Sequence, residues 1–132
     1  MRAGAVLGYR DPFRAAQWLA PLFGCESVSG PAERQYPNAI AMTAGPDVII
    51  LSATSEGAMP LNSPRDLGGA TAGVYVVVEE LDSHYERSLE AGAPIVVELH
   101  AQRDGRREYA VRDSEGHLWC FGTHDWLASE GP

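Results

Sequence analysis

Hydrophobic positions along this chain repeat first at strand spacing and then at helical spacing, and this order occurs twice. In the first half, residues 5–9 form an apolar, strand-like stretch, and residues 12–23 carry one apolar face at helical spacing. Asp11 is a favourable helix N-cap, and Gly24 suits the position where the helix ends. Pro21 removes a hydrogen bond from the last turn, so the helix is expected to end early or to kink there.

The second half repeats this arrangement. Residues 74–78 are a β-branched run, and Asp82 is the predicted N-cap of a helix that runs to Ala91 and stops at Gly92. Because the same strand and helix order occurs in both halves, the simplest interpretation is a duplicated βαβββ unit.

Further strand-like runs complete each half. They are residues 25–30, 37–43 and 48–52 in the first half and residues 95–99, 109–112 and 117–121 in the second. The last two runs flank a four-residue turn with glycine where a positive φ is needed, so they predict a hairpin. The predicted divisions are a first module of about residues 1–53, a connector at 54–72, a second module of about 73–123 and a tail at 124–132. The connector has loop composition and is interpreted as a linker between modules or as a lid.

Composition restricts the class of protein. The 132 residues suit one domain, 45% of them are hydrophobic, and no apolar run approaches the ~20 residues of a membrane span. The first residues are too short an apolar run for a signal peptide, so we expect a cytoplasmic protein. Cys25 and Cys120 lie in separate modules and are expected to be reduced thiols.

The charge of the chain limits its partners. A formal net charge of −8 argues against nucleic acid and anionic membranes, both of which repel an acidic protein. The same charge favours a neutral or cationic small molecule as ligand. The alternative is that the acidity only keeps the protein soluble.

Three segments resemble the vicinal oxygen chelate superfamily, which includes glyoxalases and bleomycin-resistance proteins. They are residues 9–24, 75–93 and 111–119, the last being Val-Arg-Asp-Ser-Glu-Gly-His-Leu-Trp, with Ser114 where proline is usual. The resemblance covers nearly the whole chain and implies an α+β fold in which two βαβββ modules form a curved, cleft-bearing mixed sheet. It also implies a homodimer, since members of this size commonly dimerise and often share or exchange modules across a two-fold axis.

The resemblance also implies where a metal ion would bind. Metal-using members place four His or Glu ligands on four cleft strands, and the matching positions here fall on or beside Gly4, Ile50, Gly73 and Cys120. None of these residues is His or Glu, and one thiol is too few ligands for a divalent ion. Neither a metal ion nor another cofactor is therefore predicted.

Strand alternation predicts which side chains line the cleft, because residues two apart share a face. If Cys120 faces inward, a tight turn that pairs Arg112 with His117 sets Tyr109 opposite Cys120. The same register turns Arg107 towards the cleft. The predicted lining is small, apolar and tyrosine-bearing, as in a pre-formed pocket for an organic molecule.

The predicted ligand-contacting residues are Tyr36, Ile50, Tyr75, Val77, His100, Arg107, Tyr109 and Cys120. Among the four histidines, His100 is the best candidate, because it is expected in a loop at the cleft rim. Trp18 and Trp126 are further candidates. Trp119 is expected to face the helices, beside Ala110, as part of the core.

Two functions from different classes fit this pattern. In the first, the protein sequesters or carries an aromatic or cationic compound without metal. In the second, it is a lyase, isomerase or dioxygenase relative that uses Tyr109, Arg107 or His100 for acid–base chemistry. Cys120 beside Arg107 is a possible nucleophile, but a small buried residue is the favoured interpretation, and no catalytic residue is predicted. A component that serves a partner protein is a third possibility.

Overall fold

Two four-stranded mixed sheets form the framework of the protein. The computed structural model describes residues 1, 3–24, 26–27, 38–54 and 60–126. Its strands are β1 (Ala5–Tyr9), β2 (Glu26–Ser27), β3 (Ala39–Ala44), β4 (Asp47–Ala53), β5 (Gly73–Val77), β6 (Ile95–Ala101), β7 (Arg107–Arg112) and β8 (Leu118–Gly122). Its helices are α1 (Pro12–Phe23), α2 (Pro64–Leu67) and α3 (Leu81–Glu90). The sheet orders β1-β4-β3-β2 and β5-β8-β7-β6 correspond to each other, which confirms the two βαβββ modules.

Helix α1 begins and ends where the sequence predicts. The Asp11 carboxylate accepts a hydrogen bond from the Arg14 backbone N–H at 3.0 Å, and Gly24 follows the helix with a φ of 72°. The helix runs through Pro21 to Phe23, so of the two effects expected of the proline, the early end does not occur. Among the described residues, no helix has the length and apolar character needed to cross a membrane.

Helix α3 starts two residues earlier than predicted. Its N-cap is Glu80, and Asp82 lies within the first turn, where its carboxylate binds Arg107. The prediction that Asp82 caps this helix is therefore wrong. Gly92, just beyond the helix, has a φ of 72°, as expected of a glycine that stops a helix.

The core lies between the helices and the two sheets. The Phe23 ring, at the end of α1, packs 5.6 Å from Trp119 and 4.6 Å from Phe121, measured between ring centroids. Both partners belong to β8 and are fully buried, so α1 of the first module packs on the second. Trp119 thus faces the helices, as predicted, but its cross-strand neighbour is Val111 rather than Ala110.

A buried carboxylate also joins the modules. Asp113 Oδ2 accepts hydrogen bonds from the Tyr9 hydroxyl at the end of β1 and, at 3.0 Å, from Trp119 Nε1. Asp113 Oδ1 accepts bonds from the backbone N–H groups of Glu115 and His117, both at 3.0 Å. Four donors therefore surround one buried charge, which is the arrangement that a buried carboxylate needs.

The described part of the connector packs against both modules. A Cβ on Gly8 of β1 would lie 2.8 Å from the Asn62 carbonyl oxygen, so glycine allows the connector to cross the strand closely. Ser63 is fully buried, and its hydroxyl donates to the Glu115 carbonyl at 3.5 Å. This part of the segment is thus fixed between the modules.

Candidate functional site

Each sheet has one face against the helices and one face turned away from them. In the second sheet, the fully buried Tyr109, Val111, Trp119 and Phe121 occupy the face towards α3. Alternate residues occupy the other side, here called the open face. Cross-strand pairs place on the open face Tyr75, Val77, Val97, His100, Glu108, Ala110, Leu118, Cys120 and Gly122.

The register of the last hairpin differs by one residue from the prediction. The Asp113 N–H donates to the His117 carbonyl at 2.9 Å, so these two residues close the turn, and Arg112 pairs with Leu118. A slip of one residue exchanges the two faces of a strand. Tyr109 and Arg107 are therefore wrong as cleft residues, and Ala110 is the partner of Cys120.

Tyr109 belongs to a buried network that connects the modules. Its hydroxyl bonds Ser88 Oγ at 2.8 Å and His84 Nδ1. His84 Nε2 lies 3.2 Å from the Phe23 carbonyl at the end of α1, and since a carbonyl only accepts, Nε2–H is the donor. Burial raises the pKa of Tyr109 to about 12 and lowers the pKa of His84, so both groups are held neutral.

Arg107 lies on the helix side and is paired. Its guanidinium donates to both Asp82 carboxylate oxygens, at 2.6 and 3.1 Å, and this hydrogen bonding lowers the pKa of Asp82. Cys120 faces the other way and gains no cation from Arg107. Burial and the charge of Glu108 raise the pKa of the Cys120 thiol, so it is not an activated thiolate.

Glu108 occupies the open-face position that the sequence predicts for Arg107. Its Oε1 accepts a hydrogen bond from Gln102 Nε2 at 2.8 Å and lies 3.6 Å from His100 Nε2. His100 is in β6, opposite Glu108, rather than in a loop. These three residues, with Tyr75 and Cys120, form a group that we call the open-face cluster.

Tyr75 forms the aromatic part of this cluster. Its ring leans over Gly122, because a Cβ built there would lie 2.8 Å from Tyr75 Cζ. Its hydroxyl accepts a hydrogen bond from the His124 backbone N–H at 3.3 Å. Trp126 packs edge-on to the ring at a centroid distance of 6.2 Å, and Arg106 lies 5.6 Å above the Trp126 ring. The described part of the tail therefore forms a rim beside Tyr75.

Of the remaining predicted residues, only Val77 lies beside this cluster within the described part of the chain. Ile50 pairs with Val6 and belongs to the first sheet, whereas Val77 follows Tyr75 on the open face and is 45% exposed. Tyr36 lies outside the described residues, as does Cys25. Trp18 packs edge-on to Phe23 at 5.5 Å, beside the core.

A groove of about 710 Å³ separates the two modules near Tyr75. One wall is formed by residues 3–5 and 44–49 and the other by residues 74–79. Asp47, Glu79 and Asp125 are the carboxylates of its lining, and no Lys or Arg is among the described lining residues. The groove therefore favours a neutral or cationic occupant over an anion.

The positions that would hold the metal of related proteins do not fit one. A Cβ on Gly4 would lie 2.8 Å from the Val48 carbonyl oxygen, which is too close for a side chain unless the backbone shifts. A Cβ on Gly73 would lie 3.1 Å from the Leu118 carbonyl oxygen, a tight contact, and glycine itself has no ligating group at either position. Within the described ranges, no group of three or more His, Cys, Asp or Glu side chains could hold a metal ion.

Comparisons with known proteins agree with this architecture. The family model described as the glyoxalase/bleomycin resistance protein/dioxygenase superfamily matches residues 5–121. The structure is similar to that of TioX from Micromonospora sp. ML1, with a TM-score of 0.72 and 30% identity over 98% of this chain and 100% of that one. It is also similar to lactoylglutathione lyase from Agrobacterium tumefaciens, with a TM-score of 0.63 and 18% identity over 92% of each chain.

Among curated proteins, a stretch of 60 residues is 37% identical to Rv0887c of Mycobacterium tuberculosis. The same identity holds for Mb0911c of Mycobacterium bovis. The stretch is 46% of this chain but only 35% and 40%, respectively, of these relatives. The match therefore spans well under half of either relative.

Proposed function

The chain belongs to the glyoxalase/bleomycin resistance protein/dioxygenase superfamily, and we propose that it binds an aromatic or cationic organic compound without a metal ion. The binding surface is the open face of the second sheet, around Tyr75. Its function is to sequester or carry that compound. A cytoplasmic location and a symmetric homodimer are parts of the same proposal.

The observation that carries the proposal is the mixed character of the open face. Tyr75, Leu118 and Cys120 are half-buried, and Val77 is 45% exposed, so apolar and aromatic atoms remain available to a ligand. Polar groups are few and are collected at Glu108 and His100. Ligand sites typically combine such an apolar lining with a small number of oriented polar groups.

The enzyme alternative has one observation in its favour, the His100–Glu108 pair. A histidine beside a carboxylate is a common acid–base arrangement. The other two groups that this alternative used, Tyr109 and Arg107, are on the opposite face and are engaged in hydrogen bonds there. Binding without turnover is therefore the function that we favour.

The homodimer is supported by the open faces themselves. Val97, on the edge strand β6 and outside the open-face cluster, is 43% exposed, and a second copy could cover its apolar atoms. Sedimentation equilibrium tests this part of the proposal. Twice the chain mass of 14.2 kDa is expected, and a monomer at all concentrations would contradict it.

Binding is tested by a thermal-shift screen of chelator-treated protein against aromatic and cationic compounds, followed by calorimetric titration of the hits. The Tyr75→Ala variant should weaken binding about tenfold or more, because the aromatic contact is lost. Tyr109→Phe is the matched control, since that hydroxyl is buried on the other face. Stabilisation that appears only with added metal, or equal affinity in the Tyr75 variant, would contradict the proposal.

A further inference from the structure

We propose that the His100–Glu108 pair binds a protonated amine of the ligand, so that the compound is an aromatic amine with its ring on Tyr75. This inference rests on the proposed function and specifies the ligand class. It starts from hydrogen-bond roles on the open face.

In the His100–Glu108 pair, two acceptor atoms face each other. His100 Nδ1 lies 3.0 Å from the Glu98 carbonyl, which only accepts, so Nδ1 is a donor and Nε2 of a neutral ring is an acceptor. The lone pair of Nε2 then lies 3.6 Å from Glu108 Oε1, and both atoms need a donor. The Gln102 amide is their shared donor, at 3.5 and 2.8 Å, and it is uncharged.

The charge of Glu108 has no permanent cationic partner within the described residues. Arg106 donates to Asp104 at 2.8 Å, and Arg107 is paired with Asp82 on the other side of the sheet. The side chain of Glu108 is only 26% exposed, so its carboxylate is partly removed from water. A positively charged donor would compensate for that desolvation, and an ammonium group has three N–H bonds to share.

The aromatic ring of Tyr75 lies close to this carboxylate. The ring leans over Gly122, and Gly122 is the cross-strand partner of Glu108. Cross-strand partners are about 5 Å apart between Cα atoms. The charge of Glu108 also contributes to raising the pKa of Tyr75, after burial, which is consistent with this proximity. A ligand ring on Tyr75 would thus bring an aminomethyl group to Glu108.

Two probes of similar shape separate the contribution of the ligand's charge to binding from that of its aromatic ring. They are 2-naphthylmethylamine, which is protonated near neutral pH, and the neutral 2-naphthalenemethanol. Titration calorimetry on the full chain should give about tenfold tighter binding of the amine, as expected for a charge-assisted hydrogen bond. Glu108→Gln keeps the acceptor for Gln102 and should reduce the amine to the affinity of the alcohol. Glu86→Gln on α3 removes the same charge elsewhere and should leave both affinities unchanged.

The outcomes distinguish this inference from the proposed function. Equal affinity of both probes in the unmodified protein, with weakening of both by Tyr75→Ala, would overturn the amine site and leave the binding function intact. Equal weakening of both probes by Glu108→Gln would also overturn the amine site. No saturable binding of either probe would contradict the proposed function and, with it, this inference.

Discussion

Replacing Asp113 tests whether one carboxylate holds the two modules together. Asn at this position keeps the shape but turns one acceptor into a donor. The amide nitrogen would take the place of Oδ2, because the Tyr9 hydroxyl can reverse its role and accept, whereas the two backbone N–H groups at Oδ1 cannot. Trp119 Nε1–H, fully buried, would then have lost its acceptor.

The magnitude follows from these bonds. An unsatisfied buried donor costs about 1–3 kcal/mol, and a hydrogen bond to a charged group contributes about 1.5–3 kcal/mol. We therefore expect Asp113→Asn to lower the free energy of unfolding by about 3–4 kcal/mol. Tyr9→Phe, which removes only the hydroxyl, should lower it by about 1.5–3 kcal/mol. A domain of typical stability, about 5–15 kcal/mol, would still fold.

Urea denaturation of the two single variants and the double variant gives the coupling between the residues. The coupling should be about 1 kcal/mol, because the hydroxyl still has a weaker, neutral partner when position 113 is Asn. Asp104→Asn is the surface control, expected within about 0.5 kcal/mol of the unmodified protein. A loss below about 1 kcal/mol for Asp113→Asn, or a coupling of zero, would refute the reasoning.

Three further predictions concern titration and packing. Burial lowers the pKa of His84 in the folded protein, so its contribution to stability is complete above the pKa of the unfolded chain, about 6.5, and is lost as the pH falls below that value. His84→Gln should therefore reduce the decline of the urea midpoint with falling pH. An unchanged decline would contradict this. Burial is the main cause that raises the pKa values of Tyr9 and Tyr109 in the folded protein. Stability should therefore fall as the pH rises above about 10, the pKa of a tyrosine in the unfolded chain. The stability of Tyr109→Phe should fall less steeply, and an identical decline would contradict the buried position of Tyr109. Gly122→Ala should displace the Tyr75 ring and weaken binding of 2-naphthalenemethanol with little loss of stability, whereas unchanged affinity would place the site elsewhere.

Apart from the short helix α2, the order of elements could be predicted because its signals are local. Asp11 and Gly24 act through bonds or dihedral angles within a few residues, and the structure uses both as expected. Gly92 stops α3 in the same way. The contact between Tyr9 and Asp113 joins residues 104 positions apart, and nothing near either residue in the sequence indicates it.

The prediction of which β7 side chains face the cleft was wrong because the turn before β8 closes with a different hydrogen bond. Asp113, rather than Arg112, pairs with His117 to close the turn. This shifts β7 by one position relative to β8 and exchanges the two faces of β7. This shift moved Glu108 to the open face and Tyr109 into the core. A signal was present, because an Asp that opens a turn commonly bonds backbone N–H groups two residues on, as Asp113 does with Glu115.

Asp113 and Glu108 are both carboxylates, but their hydrogen-bond partners differ. An ionised carboxylate has about four acceptor positions. Asp113 fills them with four donors from the protein, so it has none to offer a ligand. Glu108 has one neutral donor, Gln102, and its negative charge lies beside an aromatic ring and a histidine acceptor. The metal-ligand positions hold glycine, isoleucine and cysteine, so we propose that this incompletely paired charge is the group that orients a cationic ligand.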